Sequence, residues 1–407
     1  MKWNDRGHEY DVFGRNFIGK DIYIYGAGNN GRNIFNKLGF LDCVDAFIDR
    51  DIGKQGKCFC GKPVLPPNQI FNKKDTTHII IISIENKEIA SQVEWRLLRR
   101  SYEKNKDFFY YDDFVPRDDT SDYKDNFYLR IYSIYSKNKI WLDSTAIYPS
   151  TACNLNCKNC LAYTPEIHHN RIKTLNEVKD EVDIFFEWVD FVRWFQISGG
   201  ETQLWPYLCD LVEYIGNIYR DRIGQRFEIV TNGSIIPSDR LLELMQRHNM
   251  NMVIDDYGDS YDVWNLQNHS LEIVNKLKER DISFIYDKPE KWVNLGLLEC
   301  DNSDKNLEDY YDDCSIPFNA NEYGRIYSCA YADFAVKAGL LEDSKDEYFD
   351  LHQAKTKDSK KEFVEFTLGF SNKGYSELCT KCYGWVETIN SHYVPAAVQT
   401  KKRRIDE

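Results

Sequence analysis

Thr151-Ala-Cys-Asn-Leu-Asn-Cys-Lys-Asn-Cys-Leu161 is the stretch whose reading decides the rest of the chain. Cys153, Cys157 and Cys160 place three thiols on one short loop, directly after a β-rich run. Three thiolates so close in sequence can hold one iron–sulfur cluster and leave one iron without a protein ligand, whereas a closed structural site normally takes four. The open position is where chemistry is expected.

Outward from that loop, the neighbouring segments read as alternating strands and helices. Ile140 to Tyr148 forms a strand that delivers the cysteine loop at its C-terminal end, where barrel proteins carry their catalytic loops. Asn170 to Val189 reads as a packing helix, with Leu175, Val178, Val182, Phe185 and Phe186 at helical spacing. A second strand, Trp194 to Ser198, runs into Gly199-Gly200-Glu201. Glycine there lets backbone approach a ligand closely, and a carboxylate accepts from an ammonium group. Phe227 to Thr231 ends in Asn232-Gly233, Met252 to Asp256 ends in Tyr257-Gly258, and Ser283 to Tyr286 supplies a further strand. Thr231, Asn232 and Asp255 are therefore candidate contacts at strand tips. Adjacent strand residues point to opposite faces, so at most one of Asp255 and Asp256 faces a cavity, and a coupled acid–base dyad is not expected.

The Cys-x3-Cys-x2-Cys spacing resembles that of radical S-adenosylmethionine (radical SAM) enzymes, in which the amino and carboxylate groups of SAM chelate the open iron. Ile197-Ser-Gly-Gly-Glu-Thr202 is similar to the family's Gly-Gly-Glu segment, Val230-Thr-Asn-Gly233 to its third-strand end and Val253-Ile-Asp-Asp-Tyr-Gly258 to its fourth. The resemblance covers residues 141–295 and implies a partial (β/α)6 TIM-type barrel. It also implies SAM contacts from Gly199, Gly200, Glu201, Thr231, Asn232 and Asp255. The family usually has an aromatic residue before the third cysteine, where this chain has Asn159.

The chain has 407 residues, of which 42% are apolar and 14% aromatic, enough for two or three globular domains in an α/β chain. Its net charge of −13 argues against a nucleic-acid partner, and the basic run Lys401 to Arg404 reads as a solvated terminus. No run of 18 apolar residues occurs, and the first residues lack a signal-peptide core, so a cytoplasmic protein without a membrane partner is expected. In a reducing compartment the 12 cysteines favour metal ligation over disulfides.

Residues 1–120 read as a Rossmann-like parallel sheet. Strand Asp21–Tyr25 is followed by Gly26-Ala-Gly28-Asn-Asn-Gly31 and an amphipathic stretch, Arg32 to Leu38. Gly26, Gly28 and Gly31 suit a tight turn, a ligand phosphate and close helix packing, and Asp49, after strand Val44–Ile48, stands where a carboxylate accepts from a ribose. Ile79–Ile82 and the helix Ile89–Arg99 continue the pattern. This domain is similar to small Rossmann-like modules of sugar-modifying and polysaccharide-assembly proteins, which implies a nucleotide or nucleotide-sugar ligand; a scaffold that binds nothing fits equally. Residues 121–140 read as a linker or a short connecting helix.

In residues 296–407, Cys314, Gly324 and Cys329 show Cys-x9-Gly-x4-Cys, and Cys379 and Cys382 follow. Four thiolates can close a second cluster or a zinc site. The arrangement resembles the twitch extension of radical SAM enzymes, whose β-hairpin, here Tyr323 to Tyr327, carries the first pair. No cysteine follows Cys382, so two [4Fe-4S] clusters in all are expected, one SAM-binding and one auxiliary. Cys300 is left over, as a free cysteine or as a hydrogen-atom donor to a substrate radical.

The resemblance implies an enzyme that reductively cleaves SAM to a 5′-deoxyadenosyl radical and abstracts hydrogen from a substrate C–H, with electrons from an external reductant such as flavodoxin or ferredoxin. The Rossmann-like domain favours a sugar or polyol, free or nucleotide-linked, undergoing oxidation or epimerisation. The alternatives are maturation of a ribosomal peptide and, in another class, a non-catalytic metal-cluster scaffold or electron carrier.

Overall fold

The computed structural model describes residues 14–115, 127–296, 299–314, 319–368, 373–385 and 392–400. The basic run Lys401 to Arg404 lies outside them. Contacts divide the chain into two units, one formed by Asp5–Trp141 with Lys357–Val364, the other mainly by Leu142–Thr356 and Glu365–Glu407.

The first unit is a six-stranded sheet. Its strands are β1 (Asp21–Tyr25), β2 (Val44–Ile48), β3 (Cys58–Phe59), β4 (Lys62–Leu65), β5 (His78–Ile82) and β6 (Phe108–Tyr110), in the order β3-β4-β2-β1-β5-β6. All pairings are parallel except β3 with β4. The order reverses between β1 and β5, which places the glycine turn after β1 at a topological switch point. The four isoleucines of β5 are fully buried, as expected for a central strand covered on both faces. A helix, Phe127–Lys137, occupies the described part of the stretch expected as a linker.

The second unit is built on an eight-stranded sheet. Strands β7 (Trp141–Ser150), β8 (Phe191–Gly199), β9 (Ile223–Thr231), β10 (Asn251–Asp255) and β11 (Ser283–Asp287) are followed at the other edge by β13 (Ala320–Glu322), β14 (Arg325–Tyr327) and β15 (Tyr348–Asp350). Pairing is parallel from β8 to β11, and β13 also pairs parallel to β7. These parallel strands with helices between them agree with the α/β class expected from sequence. Five of the sheet's strands come from residues 141–295, and the next candidate, β12 (Lys291–Val293), pairs instead with β16 (Tyr393–Pro395). The sixth parallel member is β13, which opens the hairpin expected around Gly324, where φ is +73°.

The helix expected from Asn170 begins only at Leu175. Thr174 caps it, accepting from the Glu177 amide at 3.3 Å while its own amide donates to the Glu177 carboxylate at 2.6 Å. Residues just before are held extended, because Ile172 pairs with Ser150 and the Lys173 amide donates to Pro149.

A buried charged network ties this helix to the hairpin. Lys173 Nζ lies 2.9 Å from Glu181 and 3.0 Å from Glu322, and Lys337 Nζ lies 2.7 Å from both Glu322 and Asp333. Burial pushes the Glu181 carboxyl up to about 7 despite the facing lysine. Among the described residues no helix is long and apolar enough to cross a membrane.

Candidate functional site

The cysteine loop leaves β7 and is closed from three sides. Ahead of it, the Gly200 amide donates to Ser150 O at 3.1 Å and the Glu201 amide to Ala152 O at 2.8 Å, which ties the end of β8 to the entry of the loop. This approach explains both glycines: a Cβ at Gly199 would stand 2.2 Å from Ser150 O, and one at Gly200 2.3 Å from Ala152 O. The sequence suggested glycine for approach to a ligand; here its first use is approach to the cysteine loop.

Glu201 is 1% exposed. Its carboxylate accepts from the Gln203 amide at 3.0 Å, the Thr231 hydroxyl at 2.9 Å and the Asn232 amide at 2.7 Å. Three of about four acceptor positions are therefore filled by the protein. Burial pushes the carboxyl up to about 7, against the pull of those donors. Glu201 thus fixes Thr231 and Asn232 at the tip of β9. Asn232 in turn reaches the loop, its Nδ2 lying 2.9 Å from Asn154 Oδ1 and 3.8 Å from Cys153 Sγ.

At β10 the two aspartates part as strand geometry requires. Asp256 is buried and taken by the Gly258 amide at 2.9 Å, Asn268 at 2.7 Å and the Tyr286 hydroxyl at 2.5 Å. Asp255 accepts from the Tyr257 hydroxyl at 3.2 Å, and burial raises its carboxyl to about 6. Tyr257, Trp264 and Trp292 pack with all three loop cysteines around buried Leu155 and Tyr261, forming an apolar surround. Tyr257 stands in a strand-tip segment already picked out from sequence, whereas Trp264 and Trp292 were not singled out, because a lone tryptophan carries no spacing signal.

Burial pushes the Cys157 thiol up to about 12, with Cys160 adding to the effect, and drives Cys153 well above its ordinary value. Three mutually repelling sulfurs in an apolar site are stable as thiolates only beside a positive group, and a bound metal centre inverts that titration. The donor set therefore fits an iron–sulfur cluster. No three His, Cys, Asp or Glu side chains among the described residues are arranged to hold a metal ion. That result and the thiol grouping are compatible, since a cubane presents each iron at a separate corner and its ligands do not converge on one point.

The C-terminal cysteines also come together. Cys314, Cys329, Cys379 and Cys382 are all buried and line one cavity with Tyr310, Tyr331 and Trp385. The Trp385 amide donates to Cys314 Sγ and the Gly384 amide to Cys382 Sγ, each at 3.3 Å. Cys300 sits beside this group, its thiol 3.2 Å from Asn302 Oδ1, while Asn302 Nδ2 donates to the carbonyls of Cys379 and Cys382, each at 2.7 Å.

A cleft of about 180 Å³ opens beside Cys160, lined in part by Lys158, Asn159, Tyr163, Glu166, Asn294 and Glu299. Asn159 has φ +61°, a left-handed conformation that asparagine tolerates. Tyr163 is buried and its hydroxyl has no hydrogen-bond partner among the described residues.

In the first unit, Gly26 (φ +121°) and Gly31 are needed for packing: a Cβ at Gly31 would stand 2.1 Å from Gly26 O, whereas Gly28 faces open space. Asp49 accepts from the Ala27 amide at 2.9 Å and Lys54 Nζ at 3.2 Å, and Lys54 also donates to Ala27 O. Burial pushes the Asp49 carboxyl up, but the Asp51 and Ala27 amides and Lys54 outweigh it and hold it below the ordinary range. Asp49 therefore closes the glycine turn with its own protein donors.

Residues 147–285 match the family model of the Radical SAM superfamily. No curated protein matches the chain. Among solved structures, anSMEcpe with bound AdoMet and the Kp18Cys peptide is 13% identical, with 57% of this chain and 81% of that one covered and a TM-score of 0.38. Polyhistidine-tagged anSMEcpe with bound AdoMet is 16% identical, and the match covers 35% of this chain and only 41% of that one, at a TM-score of 0.28. Streptococcus suis SuiB bound to precursor peptide SuiA is 13% identical, with coverages of 64% and 75% and a TM-score of 0.26.

Proposed function

We propose that the chain is a radical SAM enzyme that acts on a C–H bond of a sugar or other polyol, free or nucleotide-linked, by oxidation or epimerisation. The observation that carries this reading is the backbone join between Gly200-Glu201 and Ser150–Ala152, which gathers the cysteine loop, the Gly-Gly-Glu segment and, through Glu201, the tip of β9 at one place.

Cys153, Cys157 and Cys160 hold the [4Fe-4S] cluster, and the backbone at Gly199 and Gly200, with Thr231, Asn232 and Asp255, surrounds the SAM position. When bound, cluster and SAM supply one-electron cleavage of the sulfonium carbon–sulfur bond and, through it, hydrogen abstraction. The protein contributes orientation and an apolar surround, since Tyr257, Trp264 and Trp292 pack against the loop cysteines. Cys314, Cys329, Cys379 and Cys382 hold an auxiliary [4Fe-4S] cluster in a twitch-type domain, and Cys300 is the candidate hydrogen donor of an epimerisation. The carboxylates and carboxamides of the cleft beside Cys160 suit a hydroxyl-rich substrate, since each can accept from or donate to a hydroxyl. The first unit acts as a Rossmann-like scaffold, because Asp49 is already committed to Ala27 and Lys54.

Incubation of the anaerobically reconstituted protein with SAM, a reductant and perdeuterated sugars, polyols, nucleotide-sugars or peptides tests the reading. Deuterium is expected in 5′-deoxyadenosine from a polyol-type compound. Transfer from peptides alone would move the assignment to peptide maturation. No 5′-deoxyadenosine above a Cys157→Ala control would leave a scaffold or electron carrier.

A further inference from the structure

The segment His392–Thr400 carries none of the motifs that define the site, yet it is laid across the cysteine loop. After β16, the Ala396 amide donates to Glu290 O at 3.0 Å. The Lys158 amide then donates to Val398 O at 2.6 Å, and the Thr400 amide to Asn156 O at 2.8 Å, so that Cys157 and Gln399 face each other in an antiparallel bridge. Ala397, 0% exposed, packs with Leu155, Cys157 and Tyr261. The strap is thus a part of the loop's fold.

Gln399 is the residue it delivers. Its Oε1 accepts from the Asn156 amide at 2.8 Å and from Trp264 Nε1 at 2.7 Å. Both partners can only donate, so the carboxamide has one orientation, with its NH2 end toward Cys157. Nε2 lies 3.0 Å from Cys157 Sγ and 2.8 Å from Ala397 O, which gives each of its two hydrogens an acceptor.

We infer that Gln399 is a positioning residue of the cluster loop: its side-chain N–H donates to the Cys157 sulfur, fixes that ligand's direction and raises the reduction potential of the cluster. The inference rests on reading Cys153, Cys157 and Cys160 as cluster ligands. A hydrogen bond to a ligating sulfur draws electron density from it and stabilises the reduced state, and hydrogen bonding is among the levers that set iron–sulfur potentials. An external donor then meets a cluster that is easier to reduce.

Gln399→Glu removes the donor. The variant keeps an oxygen for Asn156 and Trp264, while a carboxylate oxygen replaces the NH2 group that faces the Cys157 sulfur and Ala397 O. Iron content at wild-type level is expected, with the EPR-monitored midpoint potential of this cluster shifted to more negative values. A tenfold change in the reduction equilibrium reads as about 59 mV for a one-electron couple. An unchanged potential at full iron content would overturn the inference. Should the variant fail to hold its cluster, the wild-type protein gives the answer: with glutamine 15N-labelled in the side chain, pulsed EPR of the SAM-free reduced cluster shows a 15N coupling if the bond exists, and its absence refutes the bond. A wild-type protein that binds no cluster at these cysteines overturns both this inference and the reading beneath it; a SAM-responsive cluster without the coupling overturns this inference alone.

Discussion

Gly200→Ala should uncouple the Gly-Gly-Glu segment from the cysteine loop. The added methyl would stand 2.3 Å from Ala152 O, 2.5 Å from its carbonyl carbon and 2.6 Å from Thr151 O, and all three are backbone atoms that no rotamer change can move aside. Relief requires β8 and the loop to separate, at the expense of the Gly200–Ser150 and Glu201–Ala152 hydrogen bonds. Two such bonds are worth about 1–3 kcal/mol together, and overpacking adds about 1–3 kcal/mol, against about 5–15 kcal/mol for the stability of a whole domain. The loss therefore weakens the fold and displaces the residue joined to Cys153. Gly39→Ala is the control, since nothing lies within 4 Å of its added methyl and its φ is not positive; about 0.4–1 kcal/mol of stabilisation is expected there. Urea unfolding and iron and sulfide content after anaerobic reconstitution read the comparison. If Gly200→Ala unfolds at the wild-type urea concentration and takes up full iron, the proposed join does not hold the loop.

Three other expectations follow from side chains. Lys173→Met leaves Glu181 and Glu322 facing each other in the interior, and a loss of about 3–5 kcal/mol is expected in denaturant titration; a change below the error of the fit would contradict the network. Tyr261→Phe removes a buried bond of 2.6 Å to Asn232 O and should cost about 1 kcal/mol, whereas Tyr163→Phe removes a hydroxyl with no partner among the described residues and should leave the melting temperature unchanged or raised. In the first unit, burial pushes up Asp49, Asp75 and Asp107, but hydrogen bonds and nearby cations outweigh it and hold all three below the ordinary carboxylate range. Depressed folded-state values mean stabilisation that is complete above the unfolded carboxylate value of about 4 and lost as pH falls through the folded values. Acid titration followed by near-ultraviolet circular dichroism should therefore show unfolding below that range, with a weaker pH dependence in Asp107→Asn; identical profiles would refute the assignment.

What could be read from sequence was what has a period or a spacing. The strands read from Asp21, Val44, Ile79, Phe227 and Met252 lie within a few residues of where their apolar runs stand, and the cysteines of each expected set come together in space. The helix start was misplaced by five residues because apolar periodicity has no sharp edge; Thr174 and Glu177, a capping pair visible in the sequence, mark the true boundary. The sheet's continuation through β13 depends on pairing between residues far apart, Ala146 with Ala320, which no local pattern reports. Gln399 was invisible for the same reason. Its role comes from the strap crossing the loop, and its immediate neighbours in sequence, Val398 and Thr400, carry no motif. Glu201 was picked out from sequence, but its hydrogen bonds to Thr231 and Asn232 join two distant strand ends and have no local pattern.

The most direct measurement is the EPR spectrum of the anaerobically reconstituted, dithionite-reduced protein before and after addition of SAM. The account predicts a [4Fe-4S] signal that changes on SAM addition in the wild type and is lost in Cys157→Ala, while the signal of the second cysteine group remains. A protein that takes up only zinc, or whose cluster signal is the same with and without SAM, would contradict it.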